Sequence, residues 1–430
     1  MRANRSRLLA PIVAGLVGAM ALAWNGLLTA AFTDYEVEAE PALQALRTGH
    51  VLRFLEALPA YGGSLILRAP FALLPRLWHG GDVAMFRSMA APCLVATVAL
   101  GVALWARGDA SGASRPACWL ALALTGTSPI ALWALDTGHP EELLGGVLAI
   151  AAVLAATSER PLAAGVLVGL AVASKPWALV VVVPVLVALP AGRRRALLGA
   201  AAAGGAVLAP MLLTTGAGLH GTLASARTAG TIFQPWQVFW FFGDHGHHVV
   251  GIHGDKVGYR AAPDWAGSIS HPLLVLVAVA VAVGVAATRH ALRGGHALGA
   301  GDALALLTLV LVLRCLLDTW NVSYYAFPAC AALVAWELEA RRRAPVVGLV
   351  VILLTWTTFA LAPSVASPDL QSLLYLSWSV PEALLLGWML LHPASWHPAC
   401  ARARAAFERR LPALTRAWRS SDDLKILPQP

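Results

Sequence analysis

The sequence predicts an all-α protein: a polytopic transmembrane helical bundle of about 12 spans, with interfacial helices in its first extracytoplasmic loop. Three observations predict it. The 430 residues are 58% hydrophobic with a mean hydropathy of +0.68, too apolar for a soluble chain of this length to cover with polar surface. Apolar runs of 17 to 24 residues recur almost to the C-terminus, and a helix of that length crosses the hydrocarbon core of a bilayer. The arginines gather between these runs and in the tail, where they set orientation. The net charge of +8 therefore reflects topology and not a nucleic-acid partner.

The cysteines add a second exclusion. Cys93, Cys118, Cys315 and Cys330 fall in apolar runs and Cys400 in the tail. No pair shares a loop, so disulfides are not expected. Arginine and alanine are preferred throughout, and lysine occurs only at 175, 256 and 425. That bias points to a GC-rich bacterial genome and makes the bacterial cytoplasmic membrane the expected location.

Taken in order, Arg2, Arg5 and Arg7 precede the first span, Leu8–Ala31, and place the N-terminus in the cytoplasm. This run is too long for a signal peptide and lacks a small-residue cleavage site. The first outer loop, 32–82, opens on Phe32 to Pro41 with Asp34, Glu36, Glu38 and Glu40, four carboxylates within seven residues of a chain only 13% charged. Acids at a water–lipid boundary can act as general bases or hold a divalent cation; otherwise they simply solvate a loop. Pro41 to Thr48 reads as a short helix, with proline at its start and Gly49 just past its end. Val51 to Leu58 is a second amphipathic piece, and both lie in the interface. Gly62 to Trp78 is apolar but short and is interrupted by Arg68, Pro70 and Pro75. If it crossed, Arg160 and Arg193-Arg194-Arg195 would land outside, so it is read as returning to the same face.

Further spans are expected at 83–105, 117–135, 143–157, 162–174, 177–190, 196–216, 272–288, 302–317, 326–340, 345–362 and 373–391. The pair at 162–174 and 177–190 is too short for separate crossings and reads as a hairpin broken at Ser174-Lys175-Pro176, because proline disfavours helix in the residue before it. The bundle thus occupies 1–391. A basic cytoplasmic tail, 392–430, follows, with a surface helix near 401–419. No internal repeat is visible.

This topology gathers the conspicuous polar residues at the outer face, and that convergence is the functional signal. Asp136-Thr137-Gly138-His139-Pro140-Glu141-Glu142 joins two spans. Glu141 and Glu142 suit the dipole at a helix start, whereas Asp136 and His139 exceed what a cap requires and can contact a phosphate-linked substrate or a cation. Lys175 lies near membrane depth, where a charge costs about 2.5–3.5 kcal/mol on insertion scales and so implies a partner, a lipid-linked phosphate or the interface itself. Arg314 and Asp318 stand four apart, spaced to pair along one helix face, or to leave Arg314 free to grip phosphate. In the long outer loop, 217–271, Trp236 and Gln237 sit among aromatics that form either an interfacial belt or a surface for sugar or isoprenoid. Asp244, His245, His247, His248, His253 and Asp255 follow, but their glycine-rich spacing without cysteine is a weak metal signal and no metal ligand is assigned.

The ordered set of features resembles the GT-C superfamily of polytopic glycosyltransferases, especially the bacterial polyprenol-phosphate-sugar-dependent branch, mannosyl- and arabinosyltransferase-like. The resemblance rests on Thr33-Asp34-Tyr35-Glu36 after the first span, the stretch from Pro59-Ala60-Tyr61-Gly62 to Pro75, Gly138-His139-Pro140-Glu141-Glu142, and the hairpin from Leu162 to Ser174-Lys175-Pro176-Trp177. It covers the first half of the chain in motif and the second in architecture. Two departures stand out: a single aspartate in place of an acidic pair, and Pro-Ala-Tyr-Gly in place of Tyr-Pro-Pro. The resemblance implies a catalytic base or metal-linked residue at Asp34; Glu36, two residues on, is placed to assist, and Asp136, His139, Glu142, Lys175, Arg314, Asp318, Trp236 and Gln237 are the expected substrate contacts. It implies a polyprenyl-phosphate sugar donor, a glycan, glycolipid or protein acceptor, and no cofactor beyond a divalent cation that the acids could hold. A lipid or solute transporter or flippase, and a catalytically inactive GT-C-like partner, are the alternative readings.

Overall fold

The computed structural model describes residues 5–26, 34–59, 61–214, 232–244, 249–250, 256–258, 260–293 and 298–392. Phe32 and Thr33, the histidines at 245, 247, 248 and 253, Asp255, the whole stretch 217–231 and the expected tail helix at 401–419 lie outside the described residues.

The bundle is built from α1 (Arg5–Gly26), α2 (Glu40–Arg47), α3 (Val51–Glu56), α4 (Gly62–Leu73), α5 (Asp82–Ala110), α6 (Arg115–Gly126), α7 (Ile130–Asp136), α8 (Glu141–Thr157) and α9 (Pro161–Ser174). The second half adds α10 (Val182–Ala188), α11 (Arg193–Thr214), α12 (Asp264–Arg293), α13 (Ala300–Leu317), α14 (Ala326–Trp336), α15 (Val346–Trp356) and α16 (Pro368–Leu391). Among the described residues, seven helical segments are long and apolar enough to cross a membrane, with α6 and α7 counted as one, and three shorter apolar helices accompany them.

Several ends follow directly from local sequence. A π-helical turn, Tyr35–Ala39, leads into α2, and Gly49 closes it with φ +84°, a left-handed conformation that glycine adopts without a steric penalty. The expected span at 117–135 is interrupted at Thr127–Pro129, where proline displaces its predecessor from the helix. After α9, Lys175 is extended at φ −149°, ψ 125°, and residues Pro176–Val181 wind as a 3₁₀ helix before α10. The hairpin tip is therefore a true break, as Pro176 requires.

The α9–α11 pair packs almost backbone to backbone. A Cβ on Gly165 would lie 2.0 Å from the Ala196 carbonyl oxygen, and one on Gly169 2.3 Å from that of Ala200. Small residues at such crossings are the usual means of helix association in lipid, where apolar side chains gain little by leaving the solvent. The main core runs through α5, α6, α8, α13 and α14. A second core lies under the first outer loop, where Tyr35, Leu43, Phe54, Tyr61 and Leu65 pack on Phe86, Met89 and Met211.

The segment Gly62–Trp78 begins and ends beside the same end of the bundle. Gly63 sits against the Ala173 carbonyl at the end of α9. After α4 and the 3₁₀ turn Leu74–Trp78, the Gly80 carbonyl accepts from Arg47, which also pairs with Asp82 at the start of α5.

The long outer loop departs from an all-helical plan in a small way. Ile232–Phe233 pairs antiparallel with Arg260–Ala261, and Val249–Val250 with Lys256–Gly258. The first ladder is tied to α16: Asp369 accepts from Trp240 Nε1 at 2.8 Å and from Arg260, whose guanidinium stacks on the Trp240 ring. Cys93, Cys118, Cys315 and Cys330 are buried and free.

Candidate active site at one end of the bundle

The site grows from the turn between α7 and α8. Gly138 has φ +89°, and its bare Cα faces the backbone of Tyr35, where a Cβ would come within 2.8 Å of the Tyr35 nitrogen. Glycine thus permits both the turn and the close approach of the acidic loop. That approach sets Asp34 against His139. The His139 Nε2 lies 3.2 Å from Asp34 Oδ2, and its Nδ1 lies 2.7 Å from Glu141 Oε1.

From Glu141 a chain of alternating charges runs through the buried interior. Its second oxygen accepts from Arg68 at 3.0 Å, and Oε1 faces Lys175 Nζ at 3.1 Å. Lys175 reaches Glu142 at 3.6 Å, and Glu142 accepts from Arg314 at 3.2 Å and from Trp177 Nε1 at 3.0 Å. Aromatic rings floor the network: Lys175 lies over Tyr61 at 4.3 Å, and Arg314 lies 4.4 Å from Trp177 and 4.0 Å from Tyr325. Tyr61 and Tyr324 flank His139. All four cations are buried, whereas the Asp34 side chain is 42% exposed at the rim. The network therefore has one wet end, and a carboxylate stands there.

Burial and the Lys175 ammonium disfavour a charged His139. Hydrogen bonds to Asp34 and Glu141 outweigh them and push its pKa up to about 9. The ring is an imidazolium at neutral pH, donating to both carboxylates. Burial, with Glu141 nearby, raises the Tyr61 phenol well above its ordinary value, so it stays neutral.

Five residues anticipated for the site come together here: Asp34, His139, Glu142, Lys175 and Arg314. Glu36 is exposed on the same turn. Asp136 ends α7, half-buried, three residues before His139. Arg314 does not pair with the Asp318 side chain; Glu142 takes its guanidinium, because α8 brings a buried carboxylate within reach and Asp318 has left the helix at its C-terminus with an extended ψ of 122°. Asp318 instead accepts from the Trp320 nitrogen at 3.0 Å and faces His271 at 3.8 Å. Burial works against its charge, but the contact with His271 prevails and holds its pKa below the usual carboxylate value. Trp236 packs on Phe359 at 4.6 Å. Gln237 is fully buried, its amide donating to the Gln234 carbonyl and accepting from Phe239 within its own loop.

Sequence reasoning missed Arg68 and Glu141 as members of the cluster. Arg68 registered only as an interruption of an apolar run, and Glu141 as a helix-start charge. The buried pair they form joins positions 73 residues apart. Two acids in succession were a usable signal, since one suffices at a helix start and adjacent helical residues point apart: Glu141 serves His139 and Arg68, Glu142 serves Arg314 and Trp177. Among the described residues, no group of three or more His, Cys, Asp or Glu is arranged to hold a metal ion.

The model of glycosyltransferase family 87 matches residues 63–317. The chain belongs to glycosyltransferase family 87. It is a membrane glycosyltransferase, with sugar donor and acceptor substrates. The matched stretch of this family 87 protein carries Arg68, His139, Glu141, Glu142, Lys175 and Arg314, while Asp34 lies before it and Asp318 just after. Comparison with curated proteins and with solved structures gave no match.

Proposed function

We propose that this family 87 glycosyltransferase moves a sugar from a polyprenyl-phosphate-linked donor to an extracytoplasmic glycan, glycolipid or protein acceptor, with Asp34 as the general base. The observation that carries this reading is the half-exposed Asp34 carboxylate held at 3.2 Å by a buried imidazolium that Glu141 in turn fixes. The carboxylate takes the proton of the acceptor hydroxyl as its oxygen bonds to the anomeric carbon. The bond from that carbon to the phosphate oxygen breaks, and polyprenyl phosphate leaves with the electron pair. A single displacement of this kind inverts the anomeric configuration.

Charge balance supports the donor class. Arg68, His139, Lys175 and Arg314 face Asp34, Glu141 and Glu142, one cation in excess while His139 is protonated. A phosphodiester-linked lipid sugar carries one negative charge, and the same cations offset charge that builds on the departing phosphate. The active face would be extracytoplasmic and the membrane the bacterial cytoplasmic one.

The test is transfer from polyprenyl-phosphate sugars to candidate acceptors by purified protein. Asp34→Asn should lower turnover by about 10²- to 10⁴-fold, the usual worth of a general base, with donor binding retained. Exposed Glu38→Gln should change it little. Near-normal turnover in Asp34→Asn with loss in Asp136→Asn would move the base to the second loop. Substrate movement across proteoliposomes without bond cleavage would favour transport instead.

A further inference from the structure

Beyond the Tyr324 loop, four buried polar atoms lack a hydrogen-bond partner: Asn321 Oδ1, Trp236 Nε1, Gln371 Oε1 and Ser372 Oγ. Asn321, Gln371 and Ser372 are 1%, 2% and 0% exposed. The four residues are linked through one group of packed rings. Asn321 Nδ2 donates to the Trp236 carbonyl at 2.6 Å, Trp236 packs on Phe359, and Phe359 packs on Tyr375 at 5.8 Å. Gln371 and Ser372 lie one turn before Tyr375 on α16, on its face. Gln371 Nε2 is held by the Ala366 carbonyl at 2.8 Å, so its carbonyl oxygen is the free end, and the Asn321 amide oxygen has only the Tyr375 hydroxyl beside it.

Buried polar atoms are almost always satisfied. A cluster of them marks a surface matched to something else. Its free groups are two N–H or O–H donors, Trp236 and Ser372, and two amide acceptors, none of them charged. An anion would be met by no cation here, since Arg260 is bound to Asp369. A hydrocarbon chain would leave all four groups unsatisfied. A neutral polyol supplies donors and acceptors together, and its C–H face suits the Trp236, Phe359 and Tyr375 rings.

We propose that Asn321, Trp236, Gln371 and Ser372 form a recognition site for a neutral sugar ring, opening as the ring's hydroxyls replace the missing partners. The site rests on the glycosyl-transfer reading above and names where one of the two sugars is held. Asn321 is three residues from Tyr324, whose ring packs on His139 at 4.9 Å, which places the ring beside the catalytic network. Donor and acceptor sugars share this chemistry.

Asn321→Leu and Gln371→Met remove the amides at nearly constant volume, and Ser372→Ala removes only the unpartnered hydroxyl. Ser372→Ala deletes an unpartnered group and should hold its melting temperature, whereas Asn321→Leu and Gln371→Met also strip the donors of the Trp236 and Ala366 carbonyls and should melt somewhat lower. Two measurements then follow in nanodiscs: binding of methyl hexopyranosides, with inorganic phosphate as the control, and steady-state transfer. The site predicts glycoside binding by the wild type that weakens at least tenfold in each variant, with phosphate unaffected. It predicts a KM raised about tenfold with kcat nearly constant; whether the donor or the acceptor KM moves identifies the sugar. Unchanged glycoside binding and unchanged KM in well-folded variants would overturn the proposal. Absence of transfer by the wild type, with variant-sensitive glycoside binding intact, would overturn the polyprenyl-phosphate reading and leave the sugar site standing.

Discussion

His139 is a cation held between two carboxylates, with the Lys175 ammonium also near and the Tyr61 and Tyr324 rings on either side. Its pKa of about 9 lies above the ordinary imidazole value of 6.5. The stabilisation it confers is therefore complete below pH 6.5 and is lost as pH rises through about 9. A shift of that size corresponds to about 3 kcal/mol. Thermal unfolding of the wild type should weaken between pH 7 and 10, and His139→Gln should show a flatter profile across that window. Tyr61, pushed far up by burial, stays neutral there and does not contribute. Parallel profiles for the two proteins would show that the imidazolium is not the titrating group. At this scale the sequence disclosed the residue types that matter but not their pairing. Lys175 and Arg314 announced themselves as charges at membrane depth, for which a partner is compulsory. That Glu142 serves both is a fact of helix packing across 172 residues of chain, which no local spacing encodes.

The elements were legible to within a few residues wherever the apolar run was long. The expected span at 302–317 is α13 at Ala300–Leu317, and that at 162–174 is α9 at Pro161–Ser174. What escaped were the irregular joints, among them the π turn ahead of α2 and the two ladders of the outer loop, because their geometry depends on contacts made elsewhere. The joint at Gly138 shows how such a contact positions the site. Gly138→Ala must adopt a left-handed conformation, worth about 1–2 kcal/mol, and must also displace Tyr35 and with it Asp34. Gly49→Ala carries the same kind of strain at φ +84° but meets nothing within 4 Å. Both variants should lose comparable stability from strain, yet only Gly138→Ala should lose most of its turnover. Equal turnover in the two would mean that the Tyr35 contact does not govern the placement of Asp34.

Across the whole molecule, the function depends on which ends of the helices share a face. Among the described residues there are seven long apolar segments and three shorter apolar helices. The expected count of about 12 spans goes beyond these and is a proposal; it carries the proviso that Gly62–Trp78 does not cross. The packing agrees with that proviso, since the segment starts against Ala173 and finishes beside Arg47 and Asp82. Were it a crossing, every later loop would change sides, and Arg160 and Arg193–Arg195 would face outward against the usual bias of cationic loops. Asp34, before the segment, would then be separated by a membrane from Glu141, after it, yet His139 joins the two directly. The two loops that decide the matter are those after α5 and after α8. A cysteine placed at Ser111 or Ser158, in a background lacking the native cysteines, should react with a membrane-impermeant maleimide only after the membrane is opened. A cysteine at Glu36 should react in intact cells. Labelling of Ser111 or Ser158 from outside alone would overturn the orientation, and with it the extracytoplasmic acceptor.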